Sequence, residues 1–353
     1  VAISGSAGKT TTRRLAAAAL GSTWPTDASP GNLNNQWGLP LSLLGLAEPA
    51  RVAVVEIGIN HPGEMLPLAR IAAPDVAVIT NVGPAHIGHF GTLAAIAREK
   101  LELLGGLGPA GTAVLPAESR EWIESARAGG HRVLSFGTSE DADLRAENVQ
   151  LLPLTGVRFT VEDVDIELRL WGRHAVLNAV AALAAARALG APLRDAAVAM
   201  AGVEAEAGRG RVLELPGGIR IVDESYNANP TATIAVLGEL ARAPRRGRLV
   251  AVLGEMFELG RHSAEAHRQV GRAAGQAGVD LLIAVGQRAA TLADAGRAAG
   301  IPRTEICADA AEAAERLAGA IESNDLVLIK GSRGVHLETV VEAVGALPGG
   351  TPS

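Results

Sequence analysis

The residues best suited to chemistry stand at the front of the chain. Gly5-Ser6-Ala7-Gly8-Lys9-Thr10-Thr11 follows the short apolar run Val1-Ala2-Ile3 and precedes an Ala/Leu-rich stretch reaching Leu20. A strand, a glycine loop and a helix in that order make a phosphate cradle. The glycines let backbone N–H groups turn toward an anion, and the positive end of the helix dipole adds attraction. Lys9 can then reach the outer phosphates of ATP, and the Thr10 hydroxyl can sit on Mg²⁺. The loop is a variant, because Ile3 stands where the general GxxxxGK[ST] pattern has its first glycine. An ordinary strand-to-helix turn is the competing reading of the loop taken alone.

Further candidates lie at the ends of apolar runs. Glu56 closes Val52-Ala53-Val54-Val55, and Asn81 follows Val76-Ala77-Val78-Ile79-Thr80. A carboxylate ending an apolar strand is costly unless something offsets its desolvation, and a metal ion does so. A helical pattern from about residue 63 to 72 separates the two runs, which predicts a parallel sheet with ligands at the C-terminal strand ends. His86 follows in Gly83-Pro84-Ala85-His86, and Lys100 lies on a predicted helix from Leu93 to Leu104. By themselves these two read as a capping histidine and a solvated lysine. His174 and Asn178 are four apart near the start of a long Ala-rich helix to Leu189, hence on one face.

The remaining pattern supplies the scaffold. Residues 24–40 are rich in Pro, Gly and Asn and read as a long loop, of the kind that often carries function. Val149 to Trp171 reads as an antiparallel hairpin about Glu162-Asp163. Gly208-Arg209-Gly210-Arg211 reads as a hinge, after which strands and helices alternate regularly as in a doubly wound, Rossmann-like domain. The expected class is therefore α/β. A central ATP-binding domain over 1–207 has a mostly parallel sheet with an antiparallel edge, and a C-terminal domain covers 208–353. The tail Leu347 to Ser353 reads as disordered.

The 353 residues, 48% of them hydrophobic, suffice for about two cores. A net charge of −6 without a basic tract leaves no electrostatic footprint for nucleic acid. The single cysteine, Cys307, precludes an intramolecular disulfide and fits a reducing cytoplasm. No signal peptide and no apolar run of about 18 residues is present, which argues against secretion and membrane insertion. The chain starts without Met, directly in the phosphate-loop strand, so further sequence upstream is expected.

The motifs in order, GSAGKTTT, PGNLNNQWGLP, VVEIG, TNVGPAHIGHFG, REKLELL, GRHAVLNAVAA, DESYNANP, GEMFELG and KGSRG, resemble those of the Mur ligases, cytoplasmic enzymes that build the cell-wall peptide. YNANP and GEMFELG point to the branch that adds D-Ala-D-Ala. The resemblance spans the family's central and C-terminal domains and not the N-terminal domain that holds the UDP end of the substrate.

The resemblance implies an ATP-dependent ligase that activates the carboxylate of UDP-MurNAc-tripeptide as an acyl phosphate and then joins it to D-Ala-D-Ala, acting as a monomer. It implies that Gly5, Ser6, Ala7, Gly8, Lys9, Thr10 and Thr11 bind the phosphates, and that Thr10 and Glu56 bind one Mg²⁺. Glu56 and His86 match ligands of a second metal, and Lys100 matches a lysine carbamylated by CO₂. Adenine is expected near His174 and Asn178, although Ala175 stands where relatives often have Asn. Arg209 matches a hinge arginine that contacts phosphate, and either Asp223 or Glu224 is expected to hold ribose. Tyr226, Asn227, Asn229, Lys330, Ser332 and Arg333 are expected near the dipeptide, with turn and cap roles open for Asn229 and Ser332. Asn32, Asn34 and Asn35 are expected to bind substrate, a reading that the length of their loop favours over turn-making alone. A Mur-type ligase with another amine, folylpolyglutamate synthase and a non-ligating phosphate-loop ATPase are the alternatives.

Overall fold

The computed structural model describes residues 1–346; the segment 347–353, expected to be disordered, lies outside the described residues. Two compact units are present. One comprises Val1–Gly83 with His89–Val203, the other Pro84–Gly88 with the chain from Glu204 onward.

The chain opens with β1 (Ala2–Ser4), α1 (Lys9–Gly21), β2 (Thr26–Ala28), α2 (Gly38–Leu44), β3 (Val52–Glu56), α3 (Met65–Ala72) and β4 (Val76–Ile79). It continues through α4 (Ile87–Phe90), α5 (Leu93–Leu101), β5 (Thr112–Pro116), α6 (Arg120–Ala128) and β6 (Arg132–Gly137). Then come β7 (Leu144–Leu152), β8 (Gly156–Val161), β9 (Val164–Leu168), α7 (Arg173–Ala188) and α8 (Leu193–Met200). The nine strands form one sheet in the order β2-β3-β1-β4-β5-β6-β7-β8-β9. It is parallel as far as β7 and antiparallel across β7, β8 and β9, as the alternation in the sequence predicts.

Burial explains the central strands. Every residue of β1 and β4 is buried, which continuous apolar runs allow and which a parallel sheet covered on both faces requires. Ala2 is in register with Val55 on one side and Ala77 on the other, so the loops leaving β1, β3 and β4 emerge side by side. The alanines of α7 are buried from Ala179 to Ala186 apart from their Val and Leu neighbours, themselves buried; small side chains let this helix lie against α1.

The second unit carries β10 (Arg211–Leu215), β11 (Ile219–Glu224), α9 (Pro230–Leu240), β12 (Leu249–Gly254), α10 (Ser263–Gln276) and β13 (Leu281–Val285). It ends with α11 (Ala289–Ala298), β14 (Arg303–Cys307), α12 (Ala310–Ala320), β15 (Leu326–Lys330) and α13 (Glu338–Gly345). Its sheet order is β10-β11-β15-β12-β13-β14, parallel except for β10. The core of one face gathers Ile221, Val252, Ile283, Val327 and Ile329.

Three local features refine the expectations. The presumed single loop over 24–40 contains the edge strand β2, held by parallel pairing of Thr26 with Val52, and it already gives way to α2 at Gly38. Three-residue edge strands have too little periodicity to show in a sequence. Gly208 and Gly210, in the expected hinge, adopt φ of 75° and 87°, and β10 follows at once as an antiparallel edge on an otherwise parallel sheet. Strand β14 is half exposed, with a mixed pattern that hides it.

Candidate active site

The loop after β1 is shaped by its neighbours. Gly5 has φ of 154°, and a Cβ there would lie 1.9 Å from the Thr80 hydroxyl. Gly8 has φ of 80°, and a Cβ there would meet the Asn178 carboxamide at 2.3 Å. Both glycines are therefore required by close approach as well as by backbone conformation. The loop tip is clamped from β4's exit: Asn81 accepts from the Ala7 N–H at 2.9 Å and donates to the Ala7 carbonyl at 3.0 Å. Thr80 donates to the same carbonyl at 2.6 Å, and Ser6 exchanges hydrogen bonds with the backbone of Gly83. The Lys9 ammonium folds back to the Gly5 carbonyl at 3.0 Å, while Gly8, Lys9, Thr10 and Thr11 lead into the first turn of α1.

Thr10 and Glu56 come together. The Thr10 hydroxyl donates to one carboxylate oxygen of Glu56 at 2.7 Å, and the Asn34 carboxamide donates to the other at 2.7 Å. Glu56 is only 3% exposed, and its backbone N–H is held by the Ser29 hydroxyl. Both side-chain donors are neutral, so they orient the carboxylate without cancelling its charge. A buried anion beside a hydroxyl is a set of hard oxygen donors suited to Mg²⁺, which takes one or two carboxylates and completes its shell with water and phosphate. Among the described residues no group of three or more His, Cys, Asp and Glu converges as a metal cage.

Lys100 does not lie on a solvated face. It is 3% exposed on α5, and its ammonium has no hydrogen bond or ion pair among the described residues. Burial lowers its pKa to about 7, the Lys9 charge adds to the fall and Glu99 opposes it. Glu99 meanwhile accepts the N–H groups of Gly63 and Met65, tying α5 to the start of α3. His86 belongs to the segment that packs with the second unit, where its ring Nδ1 contacts the Glu258 carboxylate.

The loop asparagines divide. Asn34 reaches Glu56, whereas Asn35 accepts the N–H groups of Trp37 and Gly38 and so starts α2. Asn32 contributes its carbonyl to the Asn34 N–H. At the head of α7, Asn178 lies beneath Gly8, and His174 is exposed with its ring edge on Trp171. A cavity of about 430 Å³ opens beside the loop clamp, lined by Thr80, Asn81, Trp122, Phe136 and Leu177 among others.

In the second unit, Asp223 is 2% exposed and accepts from the Gly208 N–H at 2.7 Å and the Ser225 hydroxyl at 2.7 Å. Its neighbour Glu224 pairs with Lys330 at 2.7 Å, and the same ammonium donates to the Asn227 carbonyl at 3.0 Å. Asn229 caps α9 by accepting the Ala232 N–H, with Pro230 in the first turn. Ser332 accepts the Phe257 N–H, so cap and turn duties are visible for both residues whose roles were open. Tyr226 has the Arg209 guanidinium 3.7 Å from its ring centroid and that of Arg333 at 5.0 Å.

Sequence reasoning misses Thr80, Glu99, Glu258 and the clamp made by Asn81. Asn81 is detectable only as the end of an apolar run, and Glu99 and Glu258 sit inside motifs whose other residues draw attention first.

Comparison with known proteins agrees with this geometry. The Mur ligase middle domain matches residues 3–186, and the Mur ligase, glutamate ligase domain matches residues 208–333. UDP-N-acetylmuramoyl-tripeptide–D-alanyl-D-alanine ligase of Escherichia coli (strain K12) is 35% identical over 352 residues, covering 98% of this chain and 76% of that protein. A crystal structure of MurF from Acinetobacter baumannii superposes with a TM-score of 0.87 at 34% identity, covering 97% of this chain and 75% of that one. MurF of Thermotoga maritima in complex with ADP gives a TM-score of 0.83 at 29% identity, covering 97% and 78%. Likeness of this extent, running through both matched domains, leads to one conclusion: the chain belongs to the Mur ligase family.

Proposed function

We propose that the protein joins D-Ala-D-Ala to UDP-MurNAc-tripeptide at the expense of ATP, in peptidoglycan precursor synthesis. The observation that carries this reading is the Thr10–Glu56 pair beside a clamped phosphate loop, in a chain 35% identical to a ligase of that name. A carboxylate does not condense with an amine at neutral pH. In the first step a tripeptide carboxylate oxygen forms a bond to the γ-phosphorus while the bond to the ADP oxygen breaks. In the second the dipeptide amine attacks the acyl carbon, phosphate departs with the C–O bond electrons, and the amine loses a proton. Both steps depend on positioning and on positive charge around phosphoryl oxygens.

The chain's residues are assigned accordingly. Backbone N–H groups of Gly5 to Thr11 and the Lys9 ammonium hold the phosphates, and adenine is assigned to the head of α7, near His174 and Asn178. Thr10 and Glu56 would hold Mg²⁺, which when bound offsets phosphoryl charge. Lys100, buried and readily neutral, is a nucleophile for CO₂; its nitrogen gains the carboxyl carbon and loses a proton, giving a carbamate anion that replaces a buried cation. His86 would serve as a metal ligand, with the Glu258 carboxylate in contact with its ring. Asn34 orients Glu56, and Asn32 and Asn35 shape the substrate loop. Arg209 is assigned to phosphate and Glu224 to ribose, because both oxygens of Asp223 accept hydrogen bonds within its own unit, whereas among the described residues one oxygen of Glu224 is engaged, by Lys330. Tyr226, Asn227, Asn229, Lys330, Ser332 and Arg333 form or support the dipeptide site.

The domains are taken as 1–207 for ATP and 208–353 for the amine. We place the protein in the cytoplasm as a monomer; no described helix is long and apolar enough to cross a membrane. The test is ATP-dependent phosphate release with a panel of amines. D-Ala-D-Ala should be preferred, and faster release with diaminopimelate, lysine or glutamate would overturn the assignment.

A further inference from the structure

Three cations stand near Tyr226 or its neighbours in the second unit, and they differ in what already occupies them. The Lys330 ammonium is 3% exposed and is held by the Glu224 carboxylate and the Asn227 carbonyl. Arg209 has Glu206 3.6 Å away. Arg333 is exposed, lies 5.0 Å from the Tyr226 ring centroid and has no carboxylate partner among the described residues. The Asn227 side chain is turned to the Ala228 N–H.

The backbone under Arg333 is fixed. Ser332 receives the Phe257 N–H and donates its own N–H to the Glu255 carbonyl, and Arg333–Val335 forms a single 3₁₀ turn. Gly334 leaves the space that the Phe257 ring fills, since a Cβ there would lie 2.8 Å from that ring. Arg333 is thus a guanidinium on a rigid base, stacked on an aromatic ring and short of an anion. Two guanidiniums around one ring repel each other, and an arriving carboxylate relieves that repulsion.

We infer that Arg333 binds the C-terminal carboxylate of the incoming dipeptide and that Tyr226 is the positioning residue that holds its guanidinium in place. The inference rests on the proposed ligase reading and names the residue that recognises the amine substrate. The planar fork of arginine matches a carboxylate through two parallel hydrogen bonds. A dipeptide presents that carboxylate one residue beyond its reacting amine, whereas a free amino acid presents it on the same carbon, so a fixed Arg333 selects for length.

The experiment compares D-Ala-D-Ala with its C-terminal amide, under saturating ATP and UDP-MurNAc-tripeptide. The intact protein should prefer the free acid by about tenfold or more in kcat/KM, the range expected for a hydrogen bond to a charged group. Arg333→Gln should bring that ratio close to one by raising KM for the acid alone, and Arg333→Lys should give an intermediate ratio. Tyr226→Phe should keep the preference and Tyr226→Leu should weaken it, with circular dichroism unchanged in each. Retention of the full acid preference in Arg333→Gln would overturn the inference, as would equal losses for acid and amide with a raised KM for ATP, which would assign Arg333 to phosphate. An intact protein that uses another amine and neither dipeptide form refutes the D-Ala-D-Ala assignment of the proposed function, and this inference with it.

Discussion

The hydroxyl of Thr10 and the carboxylate of Glu56, 46 residues apart in the chain, meet at 2.7 Å. The hydrogen bond joins the first turn of α1 to the last residue of β3, and it sets two oxygen donors side by side before any ligand arrives. Glu56→Gln keeps the shape and removes the charge. Turnover should fall by about a hundredfold or more, because charge stabilisation of the phosphoryl group is lost. Lys9→Ala should cause a similar loss. Phosphate release at saturating ATP measures both, and an unchanged rate in either variant would remove that residue from the site.

Asn81 should act on nucleotide affinity through the loop it clamps. Asn81→Ala deletes both hydrogen bonds to Ala7 and leaves that backbone under-satisfied, which costs about 1–3 kcal/mol. The expected signature is a raised KM for ATP, with a smaller effect on kcat and a lower midpoint in urea unfolding. A loss of stability with KM for ATP untouched would mean that the clamp serves only the fold.

Lys100 is tested by its adduct. Incubation with isotope-labelled CO₂ should give a carbamate carbon signal in NMR that is missing from Lys100→Ala, and that variant should lose activity while still folding. Its melting temperature should stay close to that of the intact protein, which separates a lost adduct from a lost fold. An identical signal in the variant would place the adduct elsewhere.

His267 supplies a pH dependence. Its ring is fully buried, with Nε2 accepting the Met256 N–H at 3.0 Å and Nδ1 2.7 Å from the Ser263 carbonyl, an arrangement that requires the neutral Nδ1–H tautomer. Burial, the largest cause, lowers its pKa below the ordinary 6.5, so the unfolded chain takes up the proton first. The stabilising contribution is complete above about pH 6.5 and is lost as pH falls through the folded value. Unfolding free energies measured from pH 8 to pH 5 should decline in this window, and the decline should be shallower in His267→Gln. Parallel curves for the two proteins would exclude His267 as its source.

Much of this is legible in the sequence because it is local. Glycine spacing, the apolar runs of β1, β3 and β4 and the Ala-rich α7 reveal a parallel α/β sheet and the place of the phosphate loop. Contacts between distant segments are not written there. Nothing around Lys100 in Arg98-Glu99-Lys100-Leu101-Glu102 shows that it alone of these charged residues is buried, because its burial is decided by how the surrounding segments pack. Likewise the acidic pair Asp223-Glu224 looks interchangeable until the fold turns one carboxylate to Gly208 and Ser225 and the other to Lys330. Strand β2 and the clamp from Asn81 are hidden for the same reason: each is defined by its partner.

Tyr226 is the only tyrosine in the chain, and it carries a cation at 3.7 Å and another at 5.0 Å. Tyrosine labelled with carbon-13 in its ring therefore gives NMR signals from one position, with no competing tyrosine to assign. An anion settling among Arg209 and Arg333 should shift those signals, giving a readout of occupancy from a ring already in place.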